Sequence, residues 1–443
     1  MVLITLILIL FVSLFFIYLI FNKELLSPSV TSITVFLFSL IILLFNKQNW
    51  GIIDLRIKTA LVIITGIAIV VITETIIRII FQHNNKTLKY IKSSSRDKLV
   101  NVYSISNTST YIIIFVIFIQ ILYQYYCIKN ISQSYGQENN ILLGYRQAIK
   151  IGFAEQSSTM VLNNIIINSF GYYFTYLYMS NLIFLKKKKN YFLIPIIQLL
   201  ISIALSSARL PFINYTIFSL VLYYILIQQR NGWNRQNNKK FIKKITYITA
   251  ALLLCFYFLG YLTQKSSGKN IFHYLSIYTS ASIPALDEFI AEFNYESSNF
   301  GKYTLMGIEN ILEKLDLINS RTSGNRNMEF IKFGNRLQRT NVYTCYGRLI
   351  HDYGYGGMLI FRFMWAIFYS AFYLKIRYYR IKKNEGIFIF FLALLFHSMI
   401  MQAIDETFLK NTLGISILTQ FLFMFLLFKA TPMSIITIKQ YED

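Results

Sequence analysis

The feature that most constrains this chain is a succession of apolar runs, joined by short links that carry most of its charge. A bilayer crossing needs about 20 apolar residues. Eleven runs reach or approach that length: Leu3–Phe21, Pro28–Phe45, Thr59–Phe81, Thr108–Ile128, Val161–Leu185, Tyr191–Leu205, Leu210–Gln228, Ile245–Leu262, Gly356–Leu374, Gly386–Ile404 and Leu413–Phe428. Lipid offers backbone groups no hydrogen bonds, so each run is predicted to be a helix. Charged residues make up only 14% of the chain, against about a quarter in soluble domains. The expected fold class is therefore an all-α polytopic membrane protein of about eleven spans, within a range of ten to twelve. The first run has no basic leader and no small-residue cleavage site, and is expected to be a retained span.

The net charge of +23 would suggest nucleic acid in a soluble protein. Here the lysines sit in links between apolar runs, which is the pattern of loops facing an anionic bilayer, so no nucleic-acid partner is expected. Four links (82–98, 186–190, 229–244 and 375–383) hold twenty Lys/Arg, and the four short links of opposite parity hold eight. The positive-inside rule puts the basic set in the cytoplasm. The long polar segment is then external, periplasmic or extracellular. The expected organisation is residues 1–262 as helices one to eight, 263–355 as a large external loop, and 356–443 as the last three helices with a cytoplasmic C-terminus. Within the loop, Pro284–Phe293 and Tyr303–Ile318 carry apolar stripes at helical spacing. Ser320–Asn327 reads as a turn. Three cysteines give no disulfide framework.

Candidate chemistry concentrates where that loop meets the next run, in NRLQRTNVYTCYGRLIHDYGYGG (Asn335–Gly357). Arg336, Arg339 and Arg348 are candidate anion ligands, because a guanidinium presents a fork that matches phosphate oxygens. Arg209, in the tight turn SSARLP, and Arg146 are candidates of the same kind. His351 is a candidate base, with Asp352 able to orient it. Asp352 is equally read as the cap of the ninth helix. Asp405 and Glu406 are expected on the same membrane face, and Glu406 is a further candidate catalytic group. Glu74 and Arg78, four apart, are expected to pair within the third span. Trp50 is read as an interface residue. No Walker-type loop, HExxH pattern or cysteine pair occurs, so neither a cofactor nor a metal is expected.

Four stretches carry a family resemblance: LLSPSVTSITVFLFSLIILLFN (Leu25–Asn46), SSARLPF (Ser206–Phe212), YLSIYTSASIPALDEFI (Tyr274–Ile290) and NVYTCYGRLIHDYGYGGMLIF (Asn341–Phe361). In order and spacing the chain resembles the Wzy-type polysaccharide polymerases, which join O-antigen or capsule repeat units. That resemblance implies a GT-C-like membrane glycosyltransferase in the bacterial inner (plasma) membrane. It would transfer a growing glycan from undecaprenyl pyrophosphate to a lipid-linked repeat unit on the outer face, without metal or nucleotide sugar. Its external arginines would stabilise the pyrophosphate leaving group. Partners implied are undecaprenyl-pyrophosphate-linked oligosaccharides, the bilayer and a chain-length regulator. Three other readings stay open: an O-antigen ligase on the same scaffold, a flippase or transporter of lipid-linked oligosaccharides, and a purely structural or scaffold protein.

Overall fold

A computed structural model describes residues 1–89, 97–137, 139–231, 233, 241–243, 246–247, 271–295, 300–314, 317, 328–335, 338–378, 385–412 and 414–439. Apart from residues 246–247, the expected eighth span lies outside these residues, as do the Ser320–Asn327 turn and Arg336. The described chain is mostly helical, and several long apolar helices mark it as membrane-embedded. Among the described residues, six helices are long and apolar enough to cross a bilayer: Val2–Ile20, Pro28–Asn46, Ile57–His83, Asn107–Ser134, Leu210–Arg230 and Thr344–Tyr378. Asn190–Leu205, Gly386–Met401 and Ile415–Ala430 are apolar but shorter.

Two compact units make up the chain. The first comprises Met1–Ser93, Lys269–Tyr379 and Leu395–Ile415. Its α1 (Val2–Ile20) and α2 (Pro28–Asn46) pack together and against α3 (Ile57–Lys89). The start of α2 is set locally. Ser27 Oγ accepts from Val30 N at 3.3 Å, and Pro28 takes the first helical position, where a missing N–H costs nothing. The helix Thr344–Tyr378, α12 in chain order, lies along α3. Gly66 permits their close approach, since a Cβ there would lie 2.3 Å from the Tyr346 ring. Tyr346 cannot easily retreat, because its other face stacks on Phe36 at 5.3 Å.

The expected Glu74–Arg78 pair forms, and it belongs to a larger neutral network. Arg78 Nε donates to Glu74 at 2.9 Å and Arg78 Nη2 to Glu24 at 2.9 Å, while Arg377 pairs with Glu24. Ser29 adds its N–H and hydroxyl to Glu74 at 2.8 and 2.7 Å. Two carboxylates and two guanidiniums thus fasten the turn after α1, α2, α3 and α12 to one another. Buried charges persist only when paired and hydrogen-bonded in this way.

Helices also form within the expected loop. Before α12 come α9 (Ile271–Ser280), α10 (Ser282–Glu292) and α11 (Met306–Lys314), so the two amphipathic stripes are helical as predicted. α10 buries Ile283, Ala285, Leu286 and Ile290. Asp287 on α10 accepts from Thr59 Oγ1 at 2.6 Å and pairs with Arg56 at 2.7 Å. Burial opposes the Arg56 charge, but Asp287 and Glu288 together outweigh it and raise the arginine's pKa.

A small hairpin was not legible in the sequence. Strands β2 (Ile331–Phe333) and β3 (Gln338–Thr340) pair antiparallel. Phe333 meets Trp50 edge-on at 5.6 Å, and Asn335 N donates to Trp50 O at 2.8 Å. Trp50 is consequently fully buried, not an interface anchor. Gly334 makes the contact feasible: its φ is +62°, and a Cβ would lie 2.0 Å from Trp50 O.

The second unit comprises Ser94–Gly268, Arg380–Leu394 and Ser416–Asp443. Helix α4 (Asn107–Ser134) packs on α5 (Ile141–Lys150), α6 (Ser158–Ser180) and α7 (Leu193–Leu205). α6 also packs against α8 (Leu210–Arg230). The link read as polar connection after Lys129 thus contains a helix, α5, capped by Asn140 accepting from Leu143 N. A second surprise is a two-stranded antiparallel pair, β1 (Asp97–Tyr103) with β4 (Met433–Lys439), running from Asp97↔Lys439 to Tyr103↔Met433.

Candidate functional site

The site builds from residues of the first unit at two interruptions of apolar helices. The tenth apolar run was expected to continue to Ile404. It bends at Phe396, ends as the short helix α14 (His397–Met401), and then unwinds through residues 402–407. Unwinding frees carbonyls that an apolar medium cannot solvate. Neighbours satisfy them one by one. Cys345 N donates to Gln402 O at 2.8 Å, Ser282 Oγ to Ala403 O at 2.6 Å, and Thr344 N to Ile404 O at 3.0 Å. Thr344 holds φ +59°, a conformation β-branched residues rarely adopt, and its Oγ1 accepts from Tyr346 N at 3.2 Å. The start of α12 is thereby stitched to the unwound strand.

α12 itself begins at Thr344, twelve residues before the expected start of the ninth span, and Gly354 interrupts it with φ +68° and ψ −175°. Asp352 therefore lies inside the first helical segment and does not cap a helix, which corrects the capping expectation. Its Oδ2 accepts from Tyr303 N at 2.9 Å, Thr304 N at 2.8 Å and Thr304 Oγ1 at 2.8 Å. Three donors on one oxygen fasten the turn before α11 to α12. The other oxygen, Oδ1, lies 3.0 Å from His351 Nδ1. That contact puts the imidazole proton on Nδ1 and leaves Nε2 as the acceptor. The ring sits among Tyr303, edge-on at 4.7 Å, and Phe289 and Phe293, each at 6.3 Å. The arrangement is an oriented imidazole in an aromatic surround, able to take a proton from a hydroxyl.

Arg348 lies one turn before His351 and is 1% exposed. It grips Asp405 in bidentate fashion, Nε to Oδ1 at 2.6 Å and Nη2 to Oδ2 at 3.1 Å. Its guanidinium is 6.0 Å from the Tyr303 ring, so Tyr303 stands near both Arg348 and His351. Lys410 adds a contact to Asp405 at 3.6 Å, and burial lowers the lysine's pKa against that attraction. Expected as a pyrophosphate ligand, Arg348 instead commits two of its nitrogens to a carboxylate.

Glu406 is buried beside Asp405. Its Oε1 accepts from Phe408 N at 2.9 Å and Leu409 N at 3.0 Å, and its Oε2 from Lys410 N at 3.1 Å. It caps the π-helical turn Phe408–Thr412. Burial pushes its carboxyl above the ordinary range, against those three donors. Both oxygens are engaged, so Glu406 holds the turn.

The remaining candidates stand elsewhere. Arg339 is exposed on β3, with its guanidinium 5.7 Å from the Phe330 ring. Arg146 lies on α5 and Arg209 in the turn before α8, both in the second unit. Arg209 is 8% exposed, too enclosed for a side chain extended into water. The structure thus brings His351, Asp352, Arg348 and Glu406 into one neighbourhood around Tyr303 and the unwound strand.

One residue escaped the sequence reading. Arg362, in the apolar stretch MLIFRFMWAIF, is 2% exposed and donates from Nη2 to Gln402 Oε1 at 3.0 Å. It lines a cavity of about 230 Å³ with Trp365, Gln402, Glu406 and Thr407. The signal was available, because an ionisable residue inside an apolar span is functional by default. No known family model matches the chain, and no curated protein or solved structure matches it either.

Proposed function

We propose that this protein is a repeat-unit polysaccharide polymerase, an eleven-span, GT-C-like glycosyltransferase of the bacterial inner membrane with its 263–355 segment on the outer face. The observation that carries the reading is His351, held by Asp352 and surrounded by aromatic rings, within an apolar helical protein. Sugars present apolar C–H faces that stack on such rings, and a sugar hydroxyl needs a base to become a nucleophile. In this reading the acceptor hydroxyl gives its proton to His351 Nε2, and its oxygen attacks the anomeric carbon of the donor glycan. The bond from that carbon to the pyrophosphate oxygen breaks, and lipid pyrophosphate leaves with the electron pair. Arg339 and Arg336 of the same segment are the arginines proposed to bind the leaving group, and Arg209 and Arg146 are assigned that role separately. Arg348 and Glu406 act by positioning: they fix the unwound strand and the turn after it beside the start of α12.

The test is a deletion strain complemented with single variants, its surface glycan separated by length. His351→Gln should shorten chains to single repeats while the protein remains in the membrane. Full-length polymer from that variant would remove His351 as the base. Accumulation of unligated polymer in the deletion strain itself would assign the ligase reaction instead. Purified protein that lengthens lipid-linked repeats would exclude a transporter.

A further inference from the structure

The other two buried arginines described in the first unit meet carboxylates, Arg78 with Glu24 and Glu74 and Arg348 with Asp405, and the half-buried Arg377 meets Glu24. Arg362 is the exception. Its polar contact is the neutral Gln402, and it otherwise faces the rings of Trp365 at 4.3 Å and Tyr346 at 5.4 Å. Its Nε has no hydrogen-bond partner among the described residues, and neither does Thr407 Oγ1 in the same cavity. The two carboxylates that line the cavity are already engaged, Asp405 by Arg348 and Lys410 and Glu406 by three backbone N–H groups. A buried charge without a paired counter-charge is costly, and among the described residues no carboxylate pairs with Arg362.

The opposite wall is hydrocarbon. Phe361, Met364, Trp365 and Phe368 recur at helical spacing along α12, with Phe408 beside them. Met364 is 57% exposed on a span-length apolar helix, so the cavity reaches the side that lipid would occupy. The polar end is also where the backbone unwinds, and irregular backbone is tolerated at membrane depth where it is buried or lines a cavity.

We infer that this cavity binds a lipid with an anionic phosphoryl head: the oxyanion receives Arg362 Nε and the Thr407 hydroxyl, and the hydrocarbon chain lies along Phe361, Met364, Trp365 and Phe368. The inference stands apart from the glycosyl-transfer reading. A bulk anionic phospholipid and a polyprenyl phosphate share the required chemistry.

The full chain in neutral detergent is titrated with dioleoylphosphatidylglycerol, with a C55 polyprenyl phosphate, with dioleoylphosphatidylcholine and with inorganic phosphate. Retention is read by native mass spectrometry. One or both anionic lipids should be retained, and the preferred one identifies the source. Phosphatidylcholine and inorganic phosphate should bind at least tenfold more weakly. Arg362→Gln should weaken the retained lipid about tenfold or more, the loss of a hydrogen bond to a charged group. Lys332→Gln, on the exposed hairpin, should leave retention unchanged. If Arg362→Gln fails to fold, Thr407→Val removes the second donor at nearly constant volume and should weaken binding several-fold. Equal retention of phosphatidylcholine, equal binding of inorganic phosphate, or unchanged affinity in both variants would overturn the inference. Loss of lipid binding with polymer length preserved, or the reverse, separates this site from the transfer reaction.

Discussion

The Arg348–Asp405 pair should behave as one unit, and a double-mutant cycle measures it. The two side chains are 1% and 11% exposed and meet through two hydrogen bonds of 2.6 and 3.1 Å. With charge centres about 4 Å apart and an effective dielectric near 20, their attraction is about 4 kcal/mol. Desolvation offsets most of that, so the intact pair adds little over an apolar pair. Removing one partner strands the other, at about 3–5 kcal/mol. The two single variants should differ within that range. After Arg348→Met, Lys410 at 3.6 Å still faces Asp405, so the cost falls near 3 kcal/mol. After Asp405→Asn, Arg348 is left buried without a carboxylate on its fork, and the cost approaches 5 kcal/mol. The double variant Arg348→Met/Asp405→Leu should return to within about 2 kcal/mol of the parent. Reversible unfolding in mixed micelles, followed by tryptophan emission, gives all four corners. Additive single effects, or a larger loss from Arg348→Met than from Asp405→Asn, would refute the pairing argument. They would also undercut the positioning role assigned to Arg348.

The other expectations concern packing, protons and the imidazole. Gly66→Ala places a methyl 2.3 Å from a Tyr346 ring backed by Phe36, and should cost about 1–3 kcal/mol, seen as a lower unfolding midpoint; Tyr346→Leu in the same chain should relieve it. Gly334→Ala should loosen the hairpin from Trp50, reported by a shift in emission, because its Cβ would meet a backbone oxygen and its φ disfavours a side chain. Burial raises the Glu406 pKa above 4.5, so protonation is favoured in the folded state. Its contribution to stability is full below 4.5 and is lost as pH rises through the raised value; Glu406→Gln should flatten that part of the stability–pH curve. Asp352→Asn should impair both folding and transfer, since three donors and His351 converge on it, whereas His351→Gln should spare the unfolding midpoint and abolish chain extension.

Much of the architecture is local and was legible. Apolar run length marks the helices, Ser27-Pro28 marks the start of α2, and spacing alone places Glu74 over Arg78. The apolar stripes of α10 and α11 are likewise periodic signals that survive without tertiary knowledge. What failed has a common cause. Strands β1 and β4 are stabilised by each other from opposite ends of the second unit's sequence, and neither shows a partner in its own neighbourhood. Trp50 looks like an interface anchor until the β2–β3 hairpin covers it. Arg362 could have been flagged as a charge inside an apolar run, but its missing carboxylate shows only once the partners of Arg348 and Arg78 are known.

By itself the sequence determined that this chain lives in a membrane as helices, because hydrophobicity and period are properties of single segments. Which charges are available for chemistry was decided only by tertiary structure. Asp352, Asp405 and Glu406 are alike on paper as acidic residues near a span. Folding gives the first a turn and an imidazole, the second a guanidinium, and the third a ring of backbone N–H groups. Hydrogen-bond partners come from residues distant in the chain, and in a low-dielectric interior those partners determine what each charge can do.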